Sequence, residues 1–409
     1  MKNLVIYTSQ TGFTKKYAEW ISNKLNGDVL TIQEAKKKKM DFYDNYGAII
    51  YGGWAMAGSV VGSKWFLEKA SNWKDKKLIV FCVGASPEEL AGIGQIHIVA
   101  CGSAYHAGVV GQYVIESLAK LPVRVELASE FRYRNPILPK DDFVIAISQS
   151  GETADTLAAI REAKDKGIKT LGIVNVVGSS IARESDHVLY TMAGPEIAVA
   201  TTKAYSAQLI SMYLFAIKLA AVNGNISAER EAELIKELRN LPNKIEKSLE
   251  DRERIQWFTA KFSNAHDVFF IGRGIDYAIC LEGSLKMKEI SYAHSEAYAA
   301  GELKHGTISL IEDGTIVIGV LTQGELYEKT KSNLVEVKSR GAYLMGLTNY
   351  GNYEIEDTVD FTVYVPKTED VFAASLAVIP LQLIGYYMSV ARGLDVDKPR
   401  NLAKSVTVE

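Results

Sequence analysis

Residues 143–153 read Phe-Val-Ile-Ala-Ile-Ser-Gln-Ser-Gly-Glu-Thr, an apolar strand that runs into a loop of hydroxyl side chains around one glycine. The next segment, 154–166, has the apolar spacing of a helix. Because the first N–H groups of a helix are unpaired and its dipole favours negative charge, such a loop suits an anion. No lysine follows the glycine as in a nucleotide P-loop, so the pattern indicates one small phosphate, such as that of a sugar phosphate. The alternative is a simple N-cap, with Ser150 or Thr153 satisfying helix donors.

This glycine loop belongs to a pattern that occurs twice along the chain. One strand ends at Gly102 and a similar strand at Gly274, and a second glycine, Gly151 or Gly324, follows after 49 or 50 residues. An asparagine then follows after 24 or 25 residues in both places. Agreement at three successive strand ends predicts two duplicated sheet domains. The second copy has no hydroxyl cluster at 321–326, so only the first is expected to hold phosphate through this loop.

Strand-like and helix-like segments alternate along the whole chain, which predicts an α/β protein with parallel sheets. The charge-rich stretch 226–256 is typical of a solvated helix that links the two repeats. In the N-terminal part, strands are predicted at 3–8, 28–32, 47–52 and 78–84, with helices at 13–25 and 63–73. The predicted organisation is an N-terminal domain at 1–93, sheet domains at 94–249 and 250–395, and a C-terminal tail over the active site at 396–409.

The composition is that of an ordinary globular protein, with 47% apolar and 23% charged residues among 409. The net charge of −3 gives no reason to expect nucleic acid or an anionic membrane as a partner. The three cysteines form no disulfide or metal pattern, and no signal peptide is recognised, so we expect a cytoplasmic protein without a metal. The segment 371–391 carries no charge and is long enough to span a bilayer, but a buried core helix is the favoured interpretation.

The second repeat contributes ionisable side chains. Glu282, Lys286 and Glu289 lie at i, i+4 and i+7, on one helix face. Spacing alone favours a solvated ion-pair face over a catalytic one. The glycine-bracketed loop 301–306 contains His305, which is suited to acid–base chemistry near neutral pH. In the tail, Lys404 is a candidate for imine formation with a ketose.

Taken together, residues 95–409 closely resemble the isomerase half of the glucosamine-6-phosphate synthase family, which consists of two sugar-isomerase (SIS) domains. The resemblance rests on the motifs Cys101-Gly-Ser-Ala-Tyr-His106, Ala128-Ser-Glu-Phe-Arg-Tyr-Arg134, Ser148-Gln-Ser-Gly-Glu-Thr-Ala-Asp-Thr156, Lys286-Met-Lys-Glu-Ile-Ser-Tyr292, Glu296-Ala-Tyr-Ala-Ala-Gly-Glu-Leu-Lys-His-Gly306 and the tail from Arg400. It implies that Glu289 moves a proton between C1 and C2. His305 would open the sugar ring from the partner subunit of a dimer, and Lys404 would form the imine with Lys286 nearby.

The resemblance also implies the substrate contacts. The sugar phosphate would be bound by Ser103, Ser148, Gln149, Ser150 and Thr153, and further substrate contacts would come from Val199, Thr201 and Ala403. Two departures from the family pattern are Ala104, where many members carry serine, and Thr307, where proline is common. The first is expected to remove one contact to a sugar hydroxyl, and the second to loosen the loop that holds His305.

The N-terminal part departs from that family and resembles the flavodoxin-like family over residues 1–86. The resemblance rests on Ser9-Gln-Thr-Gly-Phe-Thr14, Tyr51-Gly-Gly-Trp-Ala55 and Cys82-Val-Gly-Ala-Ser86, each of which follows a predicted strand. It implies FMN contacts at Ser9, Thr11, Gly12, Thr14 and Trp54, although a flavodoxin would need a further strand and helices. The implied fold is therefore two SIS-type parallel-sheet sandwiches preceded by a partial flavodoxin-like doubly wound sheet, with at most weak FMN binding and no required cofactor.

The expected activity is conversion of fructose 6-phosphate to glucosamine 6-phosphate when an amine is supplied, or to glucose 6-phosphate when it is not. Family members begin with a glutaminase domain whose nucleophile is an N-terminal cysteine, whereas no cysteine precedes Cys82 here. Ammonium rather than glutamine is therefore the expected donor. One alternative is a ketosamine-phosphate deaminase that runs similar chemistry backwards. Another is a flavin-binding electron carrier with an inert SIS scaffold.

Overall fold

The computed structural model describes residues 2–9, 13–56, 59–83 and 90–407. The chain forms two compact units, one comprising residues 1–89 with 177–183 and the other comprising 90–176 with 184–409. The first unit contains residues 1–89 of the predicted N-terminal domain and the segment 177–183 of the predicted first repeat. The second contains the rest of that repeat, the second repeat and the tail.

The first unit is a parallel sheet of the predicted strands, extended by a short hairpin. Its described elements are strands β1 (Lys2–Tyr7), β2 (Asp28–Thr31), β3 (Tyr46–Met56), β4 (Ser59–Val60) and β5 (Lys77–Val83), and helices α1 (Phe13–Lys24), α2 (Ile32–Lys36) and α3 (Ser63–Ala70). Parallel pairing gives the order β2-β1-β3-β5, and β4 pairs antiparallel with β3. Helix α2 was not predicted, although Thr31 and Glu34 form a capping box at its start and the Thr-x-x-Glu signal was readable.

The second unit contains two five-stranded sheets. The first consists of β6 (Ile96–Ala100), β7 (Val123–Leu127), β8 (Phe143–Ser148), β9 (Lys169–Val174) and β10 (His187–Tyr190), and the second of β11 (Asp267–Gly272), β12 (His294–Ala299), β13 (Ile316–Leu321), β14 (Tyr343–Asn349) and β15 (Phe361–Val365). All of these pairings are parallel. The strand orders β7-β6-β8-β9-β10 and β12-β11-β13-β14-β15 are the same order in the two copies, which confirms the predicted duplication.

Helices cover these sheets on the faces that the apolar strands bury. They are α4 (Ser103–Ala119), α5 (Ala128–Tyr133), α6 (Ala154–Asp165), α8 (Lys203–Val222), α9 (Ala228–Ser248), α10 (Arg252–Lys261), α11 (Ile275–Lys286), α12 (Tyr327–Lys338) and α13 (Ala373–Ala391). The short helix α7 (Ser180–Glu184) lies between β9 and β10 in the sequence, and its residues 180–183 belong to the first unit. One buried apolar cluster runs through both repeats, from Ile147 and Tyr213 to Phe270 and Leu381. The two sheets therefore share a core.

Two helices of this unit are long and apolar enough, by length and composition alone, to cross a membrane: α8 and the stretch 370–391. About two thirds of the apolar window is buried within the structure in each, 61% and 67%. Ser375 on α13 donates a hydrogen bond to the hydroxyl of Tyr213 on α8 at 3.2 Å. This burial supports the core-helix interpretation of 371–391.

The linking segment differs from its prediction. Instead of one solvated helix over 226–256, α9 ends at Ser248 and α10 begins at Arg252. Leu234, Leu238 and Leu241 are buried on one face of α9. Their i, i+4, i+7 spacing is that of an amphipathic helix, and the high charge density of the segment obscured it.

Candidate active site

The hydroxyl loop lies where the sequence predicts it, between the end of β8 at Ser148 and the start of α6 at Ala154. The Ser148 hydroxyl accepts a hydrogen bond from the Gly151 N–H at 3.0 Å and lies 2.9 Å from the Thr153 hydroxyl. Ser150 accepts one from the Glu152 N–H at 3.2 Å. Gly151 has φ +67°, a left-handed conformation that suits glycine. Thr153 occupies the N-cap position, but its hydroxyl makes no cap hydrogen bond, so the simple N-cap alternative does not describe Thr153.

A second predicted phosphate ligand lies at the same sheet edge. Strand β6 is the neighbour of β8, with Ala100 opposite Ile147, so the α4 start at Ser103 follows the adjacent strand end. The hydroxyl of Ser103 donates to the Glu282 carboxylate at 2.9 Å. This bond connects the phosphate-side edge of the first repeat to the ionisable residues of the second. Binding of phosphate by Ser103 remains a prediction.

Glu282 is the centre of a buried chain of ionisable side chains. It accepts a hydrogen bond from Ser103, lies 2.8 Å from Nδ1 of His106, and its Oε1 is 3.4 Å from Nζ of Lys286. Lys286 in turn donates to the Glu289 carboxylate. The side chains of Glu282 and Lys286 are 0% and 2% exposed, so the solvated ion-pair face favoured by spacing is wrong. Glu289 is 21% exposed and lies in a π turn, Met287–Ser291, rather than on the α-helix itself.

Neighbouring charges shift the pKa values of Glu282 and Lys286. Burial acts to raise the pKa of Glu282, but Lys286, His106 and Ser103 outweigh it and hold the pKa below its ordinary value. Burial likewise acts to lower the pKa of Lys286, whereas the carboxylates of Glu282 and Glu289 raise it above its ordinary value. Lys286 is therefore a cation between two carboxylates. Its ammonium group contacts Glu289, the residue predicted to transfer the proton.

The C-terminal tail contacts the hydroxyl loop directly. Ser405 donates a hydrogen bond to the hydroxyl of Ser150 at 3.1 Å. The carbonyl of Val406 accepts one from the Ala154 N–H at 3.3 Å, at the first residue of α6. The loop also contacts the end of the neighbouring strand β9, because the carbonyl of Gln149 accepts a hydrogen bond from the N–H of Asn175. These contacts bring the tail and the predicted phosphate ligands together.

Lys404 is held by a residue that the sequence did not indicate. Its Nζ donates to the Glu196 carboxylate and to the carbonyl of Ala198, both at 2.7 Å, and Thr201 donates to the same carboxylate at 2.7 Å. Burial acts to raise the pKa of Glu196, but these donors lower it below its ordinary value. The N–H of Val199 is bound by the carbonyl of Asp397 at 2.9 Å. To attack a carbonyl, Lys404 must leave Glu196 and lose its proton.

Two other predicted residues lie at the surface of the chain. His305 ends a short 3₁₀ turn, Leu303–His305, and is exposed, as is Ala403 in the tail. The backbone N–H of His305 is bound by the carbonyl of Glu302 at 2.9 Å. Exposure of His305 fits its predicted use by a second copy of the chain, which remains a prediction.

His106 and Glu196 are the residues that the sequence analysis missed. His106 lies three residues after Ser103 on the same face of α4, so its approach to Glu282 was readable from helix spacing once Ser103 was a candidate. For Glu196 we find no comparable signal, because it meets Lys404 across a sequence separation of 208 residues.

In the first unit, the predicted flavin contacts are described only in part. Ser9 follows β1 and is half-buried, and Thr14 is 3% exposed on α1. Thr11 and Gly12 lie outside the described residues, as does the side chain of Trp54. A cavity of about 160 Å³ is lined by Tyr7, Thr8, Ser9, Lys15, Thr31 and Gln33. It is smaller than the roughly 300–1,000 Å³ typical of ligand pockets.

These features define a class: an α/β protein of two duplicated parallel sheets, with a hydroxyl-rich loop at a strand end of the first repeat and a buried Glu282–Lys286 pair on a helix of the second. Residues 89–218 and 261–392 each match the model of the SIS domain, and the chain belongs to the SIS-domain family. Residues 4–114 match the model of the flavodoxin domain. The flavodoxin match extends past residue 86, into β6 and α4, which in this structure belong to the first repeat.

Individual proteins agree with the family assignment. The chain is 56% identical over 335 residues to a protein of Caldanaerobacter subterraneus subsp. tengcongensis named glutamine–fructose-6-phosphate aminotransferase [isomerizing], covering 82% of this chain and 55% of the relative. A protein of the same name from Clostridium tetani is 58% identical over 324 residues, covering 79% and 53%. The chain thus spans about half the length of the curated relatives it matches.

Solved structures show the same fold. The C-terminal domain of glucosamine-fructose-6-phosphate aminotransferase from Francisella tularensis superposes with a TM-score of 0.74 and 39% identity, covering 76% of this chain and 89% of that one. Glucosamine-6-phosphate deaminase from Thermotoga maritima gives a TM-score of 0.63 at 27% identity, covering 76% and 90%.

Proposed function

We propose that this chain isomerises fructose 6-phosphate and aminates it to glucosamine 6-phosphate when ammonia is supplied. The observation that carries the proposal is the bond from Ser103 to Glu282, which joins the start of α4, at the strand end beside the hydroxyl loop, to the Lys286–Glu289 pair. This contact supports a single site in which the proposed phosphate ligands and the proposed base act on one substrate. The names of the relatives support this choice of substrate.

The chemistry assigns one task to each predicted residue. His305 opens the sugar ring, and Lys404 condenses with the C2 carbonyl to an imine with loss of water. Ammonia displaces the lysine, leaving an imine at C2. Glu289 removes a proton from C1 to give an enolamine and returns it to C2, which yields the aldose with its amine at C2. Without ammonia, the same proton shift through the enediol gives glucose 6-phosphate.

The phosphate is bound in this proposal by Ser148, Ser150, Thr153 and Ser103, with the backbone N–H groups of the loop. Gln149, Val199, Thr201 and Ala403 line the rest of the substrate site. The hydrogen bonds of Lys404 to Glu196 and Ala198 hold the nucleophile in place until the substrate arrives. A homodimer in the cytoplasm, without nucleic-acid or membrane partners, completes the proposal.

A coupled product assay tests this function. Purified full chain receives fructose 6-phosphate alone, with ammonium, or with glutamine, and the sugar phosphates are separated and quantified. We expect glucose 6-phosphate in the first sample, and glucosamine 6-phosphate with ammonium, at a rate that rises with pH because only unprotonated ammonia attacks. Failure to form either sugar would refute the proposal.

A deaminase is the second candidate, favoured by the structural match to the Thermotoga maritima enzyme. The same assay run from glucosamine 6-phosphate distinguishes the two directions. Ammonia release that is faster than amination under matched conditions would assign the reverse reaction. The flavodoxin-domain match keeps a flavin carrier as a third candidate, which predicts bound FMN and no sugar turnover.

A further inference from the structure

The second repeat keeps the backbone geometry of one strand end of the first, although its loop glycine differs. Gly151 has φ +67°, whereas Gly324 is outside the left-handed region and begins a 3₁₀ turn, Gly324–Leu326. Gly102 and Gly274 precede the equivalent helices α4 and α11 with nearly the same backbone angles, φ +56° and ψ −133° against φ +58° and ψ −131°. Two residues later the repeats differ, with Ala104 in the first and Asp276 in the second. Asp276 therefore lies at the end of β13, the strand of the second repeat that corresponds to β8. In the first repeat, the hydroxyl loop follows β8.

Asp276 is bound as an anion would be. Its carboxylate accepts hydrogen bonds from the N–H of Thr322 at 2.7 Å, from the N–H of Gln323 at 3.3 Å, and from the Thr322 hydroxyl. Counting from the matched glycines Gly151 and Gly324, these two N–H groups correspond to those of residues 149 and 150. The donors that would face a phosphate in the first repeat thus face a side chain of the protein itself in the second.

We propose that Asp276 is an internal substitute for phosphate, which closes the anion site of the second repeat and restricts the chain to one sugar phosphate. The carboxylate also ties the first turn of α11 to the end of β13. Since α11 ends at Lys286, Asp276 fixes the start of the helix that carries the buried Glu–Lys pair. In the proposed function, the substrate phosphate occupies the equivalent position of the first repeat. The role of Asp276 rests on that proposed phosphate site only for this comparison.

Asp276 is 2% exposed, so its carboxylate is held by groups of the protein itself. Burial raises the pKa of Asp276 to about 6, against the hydrogen bonds from Thr322 and Gln323, and Asp370 adds to the increase. The hydrogen bonds favour the ionised carboxylate, whereas burial opposes it.

The test uses inorganic phosphate and a chain whose first site is disabled by Ser148→Ala and Ser150→Ala. In this background, three full-length chains are compared at pH 7.5: Asp276 intact, Asp276→Ala and Asp276→Asn. Equilibrium dialysis measures phosphate bound per chain, and melting temperature is measured in phosphate and in chloride of equal ionic strength. We expect one phosphate per chain only for Asp276→Ala. Its melting temperature should rise by about 3–6 °C when phosphate is in roughly tenfold excess over its dissociation constant.

The isosteric Asp276→Asn chain should bind no phosphate, because its amide still fills the site. Phosphate bound with Asp276 intact, or a folded Asp276→Ala chain that binds none, would overturn the proposal. If Asp276→Ala does not fold in chloride, recovery on refolding in phosphate supports the proposal, and equal failure in both buffers contradicts it. Phosphate binding by the unmodified chain tests the proposed function separately.

Discussion

Replacing Glu282 by glutamine removes the charge at the centre of the buried chain while keeping its shape. Lys286, whose side chain is 2% exposed, then retains only Glu289 as a counter-charge. Leaving one member of a buried pair uncompensated costs about 3–5 kcal/mol. Glutamine can still hydrogen-bond to Ser103, so we expect the lower end, about 3 kcal/mol. With roughly 2–4 °C per kcal/mol for a large domain, the melting temperature should fall by about 6–12 °C.

Differential scanning calorimetry of the full chain at neutral pH measures this loss. The matched control is Glu184→Gln, because Arg161 and Glu184 form an ion pair at 2.7 Å with side chains 58% and 35% exposed. Exposed pairs contribute about 0–1 kcal/mol, so the control should melt within about 2 °C of the unmodified chain. A Glu282→Gln chain that melts as close to the unmodified chain as the control does would refute the account of a charged, buried Glu282–Lys286 pair.

Three further predictions concern the phosphate loop, the tail and the flavin. Ser148→Ala with Ser150→Ala should weaken fructose 6-phosphate binding by about 2–4 kcal/mol in calorimetry, with little effect on unphosphorylated fructose; unchanged affinity would contradict the phosphate site. Because the folded pKa of Glu196 is lowered, its contact with Lys404 contributes fully above the ordinary carboxyl pKa and is lost as pH falls through the folded value. Acid should therefore expose the tail to pepsin, and Glu196→Gln should abolish that pH dependence. Protein purified without added flavin should be colourless, and a stoichiometric flavin spectrum after gel filtration would show otherwise.

The architecture of the second unit was predictable because its signals are local and repeated. Apolar strands end at matched glycines, Gly102 with Gly274 and Gly151 with Gly324, and the same strand order follows in both copies. The hydroxyl loop was predictable for the same reason, since strand, glycine and helix start are contiguous. In the first unit the predicted strands and helices are present with ends that differ by a few residues.

The electrostatic character of the site could not be predicted from spacing. Glu282 and Lys286 have the i, i+4 pattern of a surface pair, and only their burial against α4 of the other repeat converts it to a buried chain. That burial joins Ser103 to Glu282 over 179 residues of sequence. The contact of Lys404 with Glu196 is similarly long-range. Periodicity carries no information about which distant faces meet.

Exchange of the C1 proton with solvent tests the central claim, that Glu289 transfers a proton within a bound sugar phosphate. Fructose 6-phosphate is incubated in deuterium oxide with the unmodified chain or with Glu289→Gln, and deuterium at C1 is followed by NMR. We expect the unmodified chain to exchange the C1 proton. In the Glu289→Gln variant the exchange rate should fall by a factor on the order of 100 or more, while fructose 6-phosphate binding is retained. Exchange at the same rate in both chains, or none in the unmodified chain, would contradict it.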